Sequence, residues 1–224
     1  MKLEAYFPTL GSLEEQRKLD IISNNVANSN SPGFKKDSVN FSSVLGDVFF
    51  TSMSQGPIRQ TGEKLDIALS GDGFLTVQTD QGTLYTRAGN LTINKSNQLV
   101  TTDGWPVLGK NGPIVVADVG NFRVNDDGQV FDGDNKVDQL KIAQFPPKTL
   151  QKSQNGYFQP QTTDIQPGTA TNCTVRQGAL ESPNFNPVEE MTRVVTAMRN
   201  FESYQKMITN NGNLDSELIS KTSG

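Results

Sequence analysis

The stretch SPNFNPVEEMTRVV (residues 182–195) contains the start of a helix with every part in place. Asn186 suits the N-cap position, Pro187 the first helical position and Glu189 the third, where its carboxylate completes a variant of the capping box. Glu189 and Glu190 also place two negative charges in the first turn, where the helix dipole favours them. The stretch therefore predicts a helix that begins at Pro187.

Beyond this start, apolar residues recur at intervals of seven. Two such series, read together, predict an a/d stripe of about three heptads; its members are Met191, Val194, Met198, Phe201 and Ile208. A continuous helix from residue 187 to about 218 would be roughly 48 Å long at 1.5 Å per residue. We interpret the methionines, Met207 included, as packing residues, since methionine adapts to imperfect contacts.

A second helical pattern lies at the N-terminus. Apolar residues follow steps of three and four in two phases: Leu3, Tyr6, Leu10 and Leu13, then Leu19, Ile22 and Val26. Gly11 and Ser12 interrupt the pattern, so we expect its first turns to be weaker than the rest.

This helix is followed by NNVANSNSPGFKK (residues 24–36), which is rich in asparagine. Asparagine tolerates the left-handed conformation that ends helices. Pro32 and Gly33 suit the two central positions of a type II turn, because proline fixes φ and glycine accepts a positive φ. The stretch predicts a helix end followed by a sharp change of chain direction.

The middle of the chain is dense in short strand patterns separated by Gly, Asn or Asp. They include LDIALS (65–70), PVLG (106–109), PIVVAD (113–118) and LKIAQF (140–145). NKSNQLVTTDG (94–104) and VNDDGQVFDGD (124–134) predict two hairpins of one style.

A heptad stripe needs a partner, since an isolated helix of this kind is marginal in water. The comparable helix lies at the other terminus, so we expect the two termini to pair, with the β region inserted between them. We predict an α+β fold with four parts: an N-terminal helix (1–35), a connector (36–65), a β-rich domain of antiparallel strands (66–180) and a C-terminal helix (181–224). The paired helices still have apolar surface to cover, and copies of the same chain are the obvious source of that cover.

Composition excludes several classes of function. The net charge is −4 and the pI about 4.9, which argues against binding to nucleic acid or to an anionic membrane surface. We find no apolar run of about 18 residues, and hence expect no membrane insertion. The N-terminal stretch MKLEAYFPTLGSLEEQRKLD is charged throughout and does not resemble a cleaved signal peptide.

We also expect no catalytic, cofactor or metal site. The 224 residues contain no histidine and one cysteine, Cys173, which has no activating partner nearby. SGDGFL (70–75) has no third glycine at the dinucleotide-binding spacing. DGDNKVD (132–138) has lysine and valine where a calcium loop needs an oxygen ligand and glycine, so we interpret it as a hairpin turn.

Three segments together resemble one family, the rod and hook proteins of the bacterial flagellum. NNVANSNSPGFKK (24–36) resembles its N-terminal signature, residues 70–114 (SGDGFLTVQTDQGTLYTRAGNLTINKSNQLVTTDGWPVLGKNGPI) its β domain, and residues 178–208 (GALESPNFNPVEEMTRVVTAMRNFESYQKMI) its C-terminal signature. The resemblance implies an axial structural protein that polymerises helically with itself and with other rod subunits into a tube. It also implies passage through the flagellar export apparatus, a periplasmic location in the basal body, and ring proteins as neighbours.

Within the family, the chain is most similar to a proximal-rod subunit, because the segment between first helix and β domain (37–64) is short. A distal-rod subunit is the alternative. From another class, a β-rich carbohydrate-binding or hydrolytic module with helical extensions is a further alternative; it would need displayed aromatic residues, and Trp105 is the single tryptophan.

Under the family interpretation, the subunit interface would involve both terminal helices. Amide side chains there can fix the register of packed helices, as a buried polar residue does in a coiled coil. The predicted interface residues are Leu19, Ile22, Asn24, Asn25, Val26, Asn28, Pro32, Gly33, Phe34, Asn186, Pro187, Glu189, Met191, Val194, Met198, Phe201 and Ile208. Asn30 belongs to the same asparagine cluster.

Overall fold

The chain divides into two compact units, seen in a computed structural model that describes residues 3–42, 46–80, 82–162, 164–170 and 172–222. The terminal unit comprises residues 1–29, 37–50 and 185–224, and the β unit comprises residues 30–36 and 51–184. The chain therefore passes between the units at four points. The predicted connector is shared between them, and the turn at Pro32 lies in the β unit.

The terminal unit contains two long helices, α1 (Leu3–Ala27) and α2 (Pro187–Thr222), and two paired strands, β1 (Asp37–Ser42) and β2 (Gly46–Thr51). Helix α2 has 36 residues and is therefore about 54 Å long. The two helices pack against each other, as the sequence predicted, and with the inserted β unit they confirm the α+β class.

Helix α1 runs through Gly11 and Ser12 without a break, although these two residues interrupt its apolar pattern. Gly11 has a packing role instead. A Cβ atom at this position would lie 2.6 Å from the Tyr204 ring of α2. The two helices approach each other closely here because residue 11 has no side chain.

The described residues of the β unit contain fifteen short strands. They are β3 (Ile58–Gln60), β4 (Ile67–Gly71), β5 (Phe74–Thr79), β6 (Gly82–Thr86), β7 (Thr92–Ile93), β8 (Leu99–Val100), β9 (Phe122–Val124), β10 (Gln129–Asp132), β11 (Asn135–Gln139), β12 (Ile142–Gln144), β13 (Leu150–Lys152), β14 (Phe158–Pro160), β15 (Gly168–Thr169), β16 (Cys173–Gln177) and β17 (Ala179–Glu181). Two 3₁₀ turns, Val119–Asn121 and Gln154–Gly156, complete the unit.

The strands of the β unit pair antiparallel throughout the registers that the structure describes. Six of them form one sheet in the order β13-β14-β6-β5-β12-β15, and β11-β10-β9 form a three-stranded sheet. The remaining pairs are β16-β4, β17-β3 and β7-β8. The main core draws side chains from several of these sheets and includes Leu69, Val77, Leu99, Ile114 and Val130, all at most 1% exposed.

Two turns in this unit confirm the predicted hairpins of one style. Asn94 and Asn125 each accept a hydrogen bond through Oδ1 from the backbone N–H four residues later, at 3.0 and 2.8 Å. In each, the asparagine Nδ2 donates to the glutamine side chain at the same position, Gln98 or Gln129. The paired strands are β7-β8 and β9-β10.

The strands expected at residues 106–109 and 113–118 are not formed. These residues make isolated bridges, such as Val77 with Val107 and Leu108 with Pro113. Each segment begins with a proline, Pro106 or Pro113, which has no N–H to donate to a ladder.

Candidate assembly interface

Helix α2 presents one row of residues to α1. This row, the inner seam, is defined by steps of four and three and consists of Glu190, Val194, Ala197, Phe201, Tyr204 and Ile208. Glu190 and Ala197 are buried, and the other four are partly buried. Contacts with α1 at both Glu190 and Tyr204 fix the direction in which the row faces.

The facing side of α1 is unusually polar. Ser12, Glu15 and Asn25 are all at most 7% exposed. Ser12 Oγ accepts a hydrogen bond from Gln205 Nε2 of α2 at 2.9 Å, and Glu15 pairs with Lys18 at 2.7 Å. The space between the helices is therefore filled by polar groups as well as by apolar ones.

Asn25 is the most enclosed of these groups, at 0% exposure. Its amide donates to Glu190 Oε2 at 3.3 Å and to the Asp37 carbonyl at 2.9 Å. Its Oδ1 accepts from the Asp37 N–H at 3.0 Å. This asparagine thus joins α1, the start of β1 and the start of α2 within one chain.

Further apolar side chains lie on the outside of the helix pair. On α2, an outer stripe with steps of three and four is at least half exposed and consists of Val188, Met191, Val195 and Met198. On α1, Phe7, Leu10 and Leu13 are 41–64% exposed. Met207 is also half exposed but lies away from the outer stripe.

The predicted a/d stripe is therefore divided between two faces, which corrects the sequence interpretation. Val194, Phe201 and Ile208 belong to the inner seam, as expected for a and d positions. Met191 and Met198 lie in the outer stripe, because Glu190 and Ala197 occupy the alternate seam positions. Because the charged residue Glu190 occupies a seam position, a search for apolar residues at heptad spacing does not find the register of the seam. The exposed residues Phe7 and Val188 were missed, although Val188 shares the spacing of the stripe.

The other predicted residues in α1 and just after it lie in two environments. Leu19, Ile22, Val26 and Asn28 are partly buried, and Asn24 and Asn30 are exposed. Asn24 lies three helical turns beyond Leu13, on the outward face of α1. Asn28 Nδ2 donates to the Asn24 carbonyl at 2.9 Å.

Pro32, Gly33 and Phe34 pack inside the β unit. The predicted turn is confirmed: the Phe34 N–H donates to the Ser31 carbonyl at 3.3 Å, and Gly33 has φ +67°. Gly33 and Phe34 are buried, and Lys152 Nζ lies 3.7 Å from the centre of the Phe34 ring. Gly33 and Phe34 therefore pack against other parts of the β unit.

The N-cap of α2 is also confirmed. Asn186 Oδ1 accepts from the Val188 N–H at 3.0 Å, and Pro187 is the first helical residue. The Glu189 carboxylate does not complete the expected capping box; it accepts from Arg193 one turn later, at 2.6 Å. The cap alone is sufficient to set where α2 begins.

Two carboxylates of DGDNKVD accept hydrogen bonds within the β unit. Asp132 accepts from the Ala117 N–H, and Asp138 accepts from Asn111 and Gln139. Among the described residues, no group of three acidic, histidine or cysteine side chains is placed to bind a metal. Trp105 is partly buried against the main core. In the described parts of the chain, no helix has the length and apolarity that a membrane crossing requires.

Three family models match the chain, and all three describe flagellar axial proteins. They are the flagella basal body rod protein (residues 14–35), the D1 domain of the flagellar hook proteins FlgE/F/G (residues 68–132) and the C-terminal part of the flagellar basal body rod proteins FlgEFG (residues 176–221). Their order along the chain follows α1, the β unit and α2. The fold and the matches together define a subunit class with paired terminal helices and an inserted β unit.

Proteins that are similar over most of the chain identify the family within this class. The chain is 32% identical to the flagellar basal-body rod protein FlgF of Caulobacter vibrioides over 226 residues, which cover 92% of each protein. It is 30% identical to FlgG of Bacillus subtilis over 245 residues (91% of this chain, 93% of the relative). It is also 30% identical to FlgF of Salmonella typhimurium over 217 residues (84% and 86%). The chain belongs to the family of flagellar basal-body rod proteins.

Proposed function

We propose that this chain is an axial structural subunit that polymerises helically, with its own copies and with other rod subunits, into the rod of the bacterial flagellum. The observation that carries the proposal is the arrangement of the terminal unit, which has polar groups among the apolar ones between its helices and large, exposed apolar side chains outside. Such an arrangement leaves the helix pair with little apolar burial of its own. Neighbouring subunits would supply the burial that stabilises it.

The two exposed apolar surfaces favour an open assembly. The outer stripe of α2 and the outward residues Phe7, Leu10 and Leu13 of α1 belong to different helices of one unit. Pairing of one surface with the other on the next copy is heterologous, and heterologous contacts that do not close produce helical polymers. Each half-exposed side chain that becomes covered would contribute about 1 kcal/mol.

The predicted interface is accordingly refined. Met191 and Met198, with Val188 and Val195, would contact the neighbouring subunit directly, and Asn24 would add polar contacts from α1. The buried residues Asn25, Gly33 and Phe34 would shape the subunit itself. Val194, Phe201 and Ile208 would hold α2 against α1.

Replacing Met198 with lysine tests this interface. The matched control is Thr196→Lys, because Thr196 is exposed on the far side of α2 from the outer stripe. We expect Met198→Lys to raise the concentration needed for polymer formation, measured by sedimentation, by roughly tenfold or more, since a charge replaces a covered apolar group. Equal assembly of both variants would contradict the proposed interface.

Within the rod, we place the subunit in the proximal part, with the distal part as the alternative. The support is the short stretch between α1 and the main β strands, residues 37–64. Electron microscopy of basal bodies from cells that lack the protein tests the position. A proximal subunit predicts that construction stops before any distal rod is present, and a complete proximal rod in such cells would favour the distal alternative.

The same proposal includes a periplasmic location, delivery by the flagellar export apparatus, surrounding ring proteins as neighbours, and a structural rather than a catalytic role. Among the described residues, the acidic side chains of the β unit do not form a group of three that could hold a metal ion. Co-purification of the protein with isolated basal bodies tests the location.

A further inference from the structure

One buried carboxylate in the β unit, Glu181, is bonded to two buried cations. Lys35 Nζ donates to Glu181 Oε1 at 2.6 Å, and Arg87 Nη1 donates to Glu181 Oε2 at 3.2 Å. The side chains of Lys35 and Glu181 are 0% exposed and that of Arg87 is 3% exposed. We call these three residues the Glu181 cluster.

The cluster joins parts of the chain that are far apart in sequence. Lys35 also donates to the Ser54 carbonyl at 2.7 Å, and the Gly56 N–H donates to Glu181 Oε1 at 2.8 Å. The Gly33 N–H donates to the Glu181 carbonyl at 2.7 Å. Arg87 is held in turn by the carbonyls of Leu69 and Gly71. Glu181 therefore contacts residues 30–36 and 51–57 directly, and the edge of β4 through Arg87.

A second residue, Asn184, reinforces the same connections. Its Oδ1 accepts from the Lys36 N–H at 2.8 Å, and its Nδ2 donates to the Ser52 carbonyl at 2.8 Å. The Ser52 N–H donates to the Lys36 carbonyl and the Ser182 N–H to the Pro57 carbonyl, both at 2.8 Å. Three segments, 30–36, 51–57 and 179–184, are thus bonded to one another around the cluster; we call them the junction segments.

The charge balance makes Glu181 the critical member. Two cations and one anion are buried together, so loss of the carboxylate charge would leave Lys35 and Arg87 facing each other without compensation. Burial lowers the pKa of Lys35, and the neighbouring Glu181 charge opposes that effect. Removing one partner of a buried ion pair is far more damaging than replacing the whole pair.

The junction segments end at the points where the chain passes between its two units. The chain passes between its two units at 29/30, 36/37, 50/51 and 184/185. Each of these points is an end of a junction segment. Whatever holds the junction segments in the β unit therefore also fixes where all four connections to the terminal helices leave it.

We propose that Glu181 acts as a lock that makes the three junction segments dock in the β unit, or leave it, as one cooperative step. The last segment to be synthesised contains Glu181, so the N-terminal segment with Lys35 is held stably only after residue 181 has joined. The exit points of α1, β1, β2 and α2 are then fixed together. This inference concerns the subunit alone and does not depend on polymerisation.

Hydrogen exchange on the full-length chain tests the lock, with Glu181→Gln compared with the control Glu63→Gln, an exposed glutamate of the same unit. We expect Glu181→Gln to accelerate exchange at Gly33, Gly56 and Ser182 together, by roughly 100-fold. The amides of β5 should change by less than about threefold, because their opening does not require the junction to open. Unchanged exchange at the three junction amides, or equal acceleration throughout the unit, would overturn the proposal.

A double variant separates charge from shape. In Lys35→Met with Glu181→Gln, the uncompensated lysine charge is gone, so this variant should exchange more slowly at Gly56 and Ser182 than Glu181→Gln alone. If Glu181→Gln does not fold, the double variant should still fold and show accelerated junction exchange relative to Lys35→Met. A double variant that is no better folded than Glu181→Gln overturns the proposal.

Discussion

The Asn25 amide and the Glu190 carboxylate, 165 residues apart in sequence, lie 3.3 Å apart and are both buried. The contact joins the last turns of α1 to the first turn of α2. It fixes which residues of the two helices face each other, as a polar pair can fix the register of a coiled coil. A sliding movement of either helix would leave both groups buried without their partner.

We predict that Asn25→Ala weakens the assembled state more than the same change at Asn200, an exposed asparagine of α2 that faces away from the outer stripe. It removes a donor from a buried carboxylate and costs about 2 kcal/mol, which corresponds to a roughly 30-fold higher concentration for polymer formation. Sedimentation of the purified variants measures this concentration. Asn200→Ala is the matched control and should change it by less than about twofold; similar effects of both changes would refute the register role.

Gly33 and Gly62 provide a second comparison, because both have positive φ but differ in their surroundings. At Gly33 a Cβ atom would overlap the backbone of Arg87 and Ala88, whereas at Gly62 it would meet open space. We expect Gly62→Ala to lower the free energy of unfolding by about 1 kcal/mol, and Gly33→Ala by about 3 kcal/mol or more. Urea unfolding followed by Trp105 fluorescence measures both. Equal losses would show that backbone conformation, rather than packing of the turn, decides the cost.

Ionisation of Tyr157 should lower the stability of the β unit at alkaline pH. Its hydroxyl donates to Asp103 at 2.7 Å and lies 2.9 Å from the Thr101 hydroxyl. Burial, together with the Asp103 charge, raises the pKa of Tyr157 well above the usual 10. The unfolded chain therefore ionises first. The stabilisation that the protonated Tyr157 gives to the folded state is complete below pH 10 and is lost as the pH rises beyond it.

For this reason, above pH 10 the contribution of Tyr157 to the wild-type free energy of unfolding should fall by up to about 1.4 kcal/mol per pH unit. Tyr157→Phe should be less stable than wild type at pH 8, by about 1 kcal/mol, because two hydrogen bonds are lost. The difference should shrink between pH 10 and 11, since phenylalanine does not titrate. Urea unfolding at both pH values checks this, and a difference that stays constant would contradict it. Burial also raises the pKa of Tyr85, which leaves some alkaline loss in the variant.

Features set by neighbours in sequence could be predicted. The Asn186 cap, the Pro32–Gly33 turn and the twin turns at Asn94 and Asn125 each depend on bonds that span at most four residues. The pairing of the termini could also be predicted, because one long amphipathic pattern needed a partner and the chain offered a second one.

Features that depend on contacts between residues far apart in sequence could not be predicted. The Lys35–Glu181 pair joins residues 146 positions apart, and nothing in the residues around either one indicates burial of the charge. The inner seam was misassigned for a related reason. Glu190 is buried because Asn25 satisfies its carboxylate, so a search for apolar periodicity places Met191 in the seam instead.

The central claim is that the helix pair depends on neighbouring subunits for its stability, while the β unit does not. Hydrogen exchange of the purified subunit, as a verified monomer and again in polymers, tests this most directly. We predict rapid exchange in α1 and α2 of the monomer, slow exchange in β5 and β6, and protection of both helices by at least about 100-fold on assembly. A monomer in which both helices are protected as strongly as β5 and β6 would contradict the account.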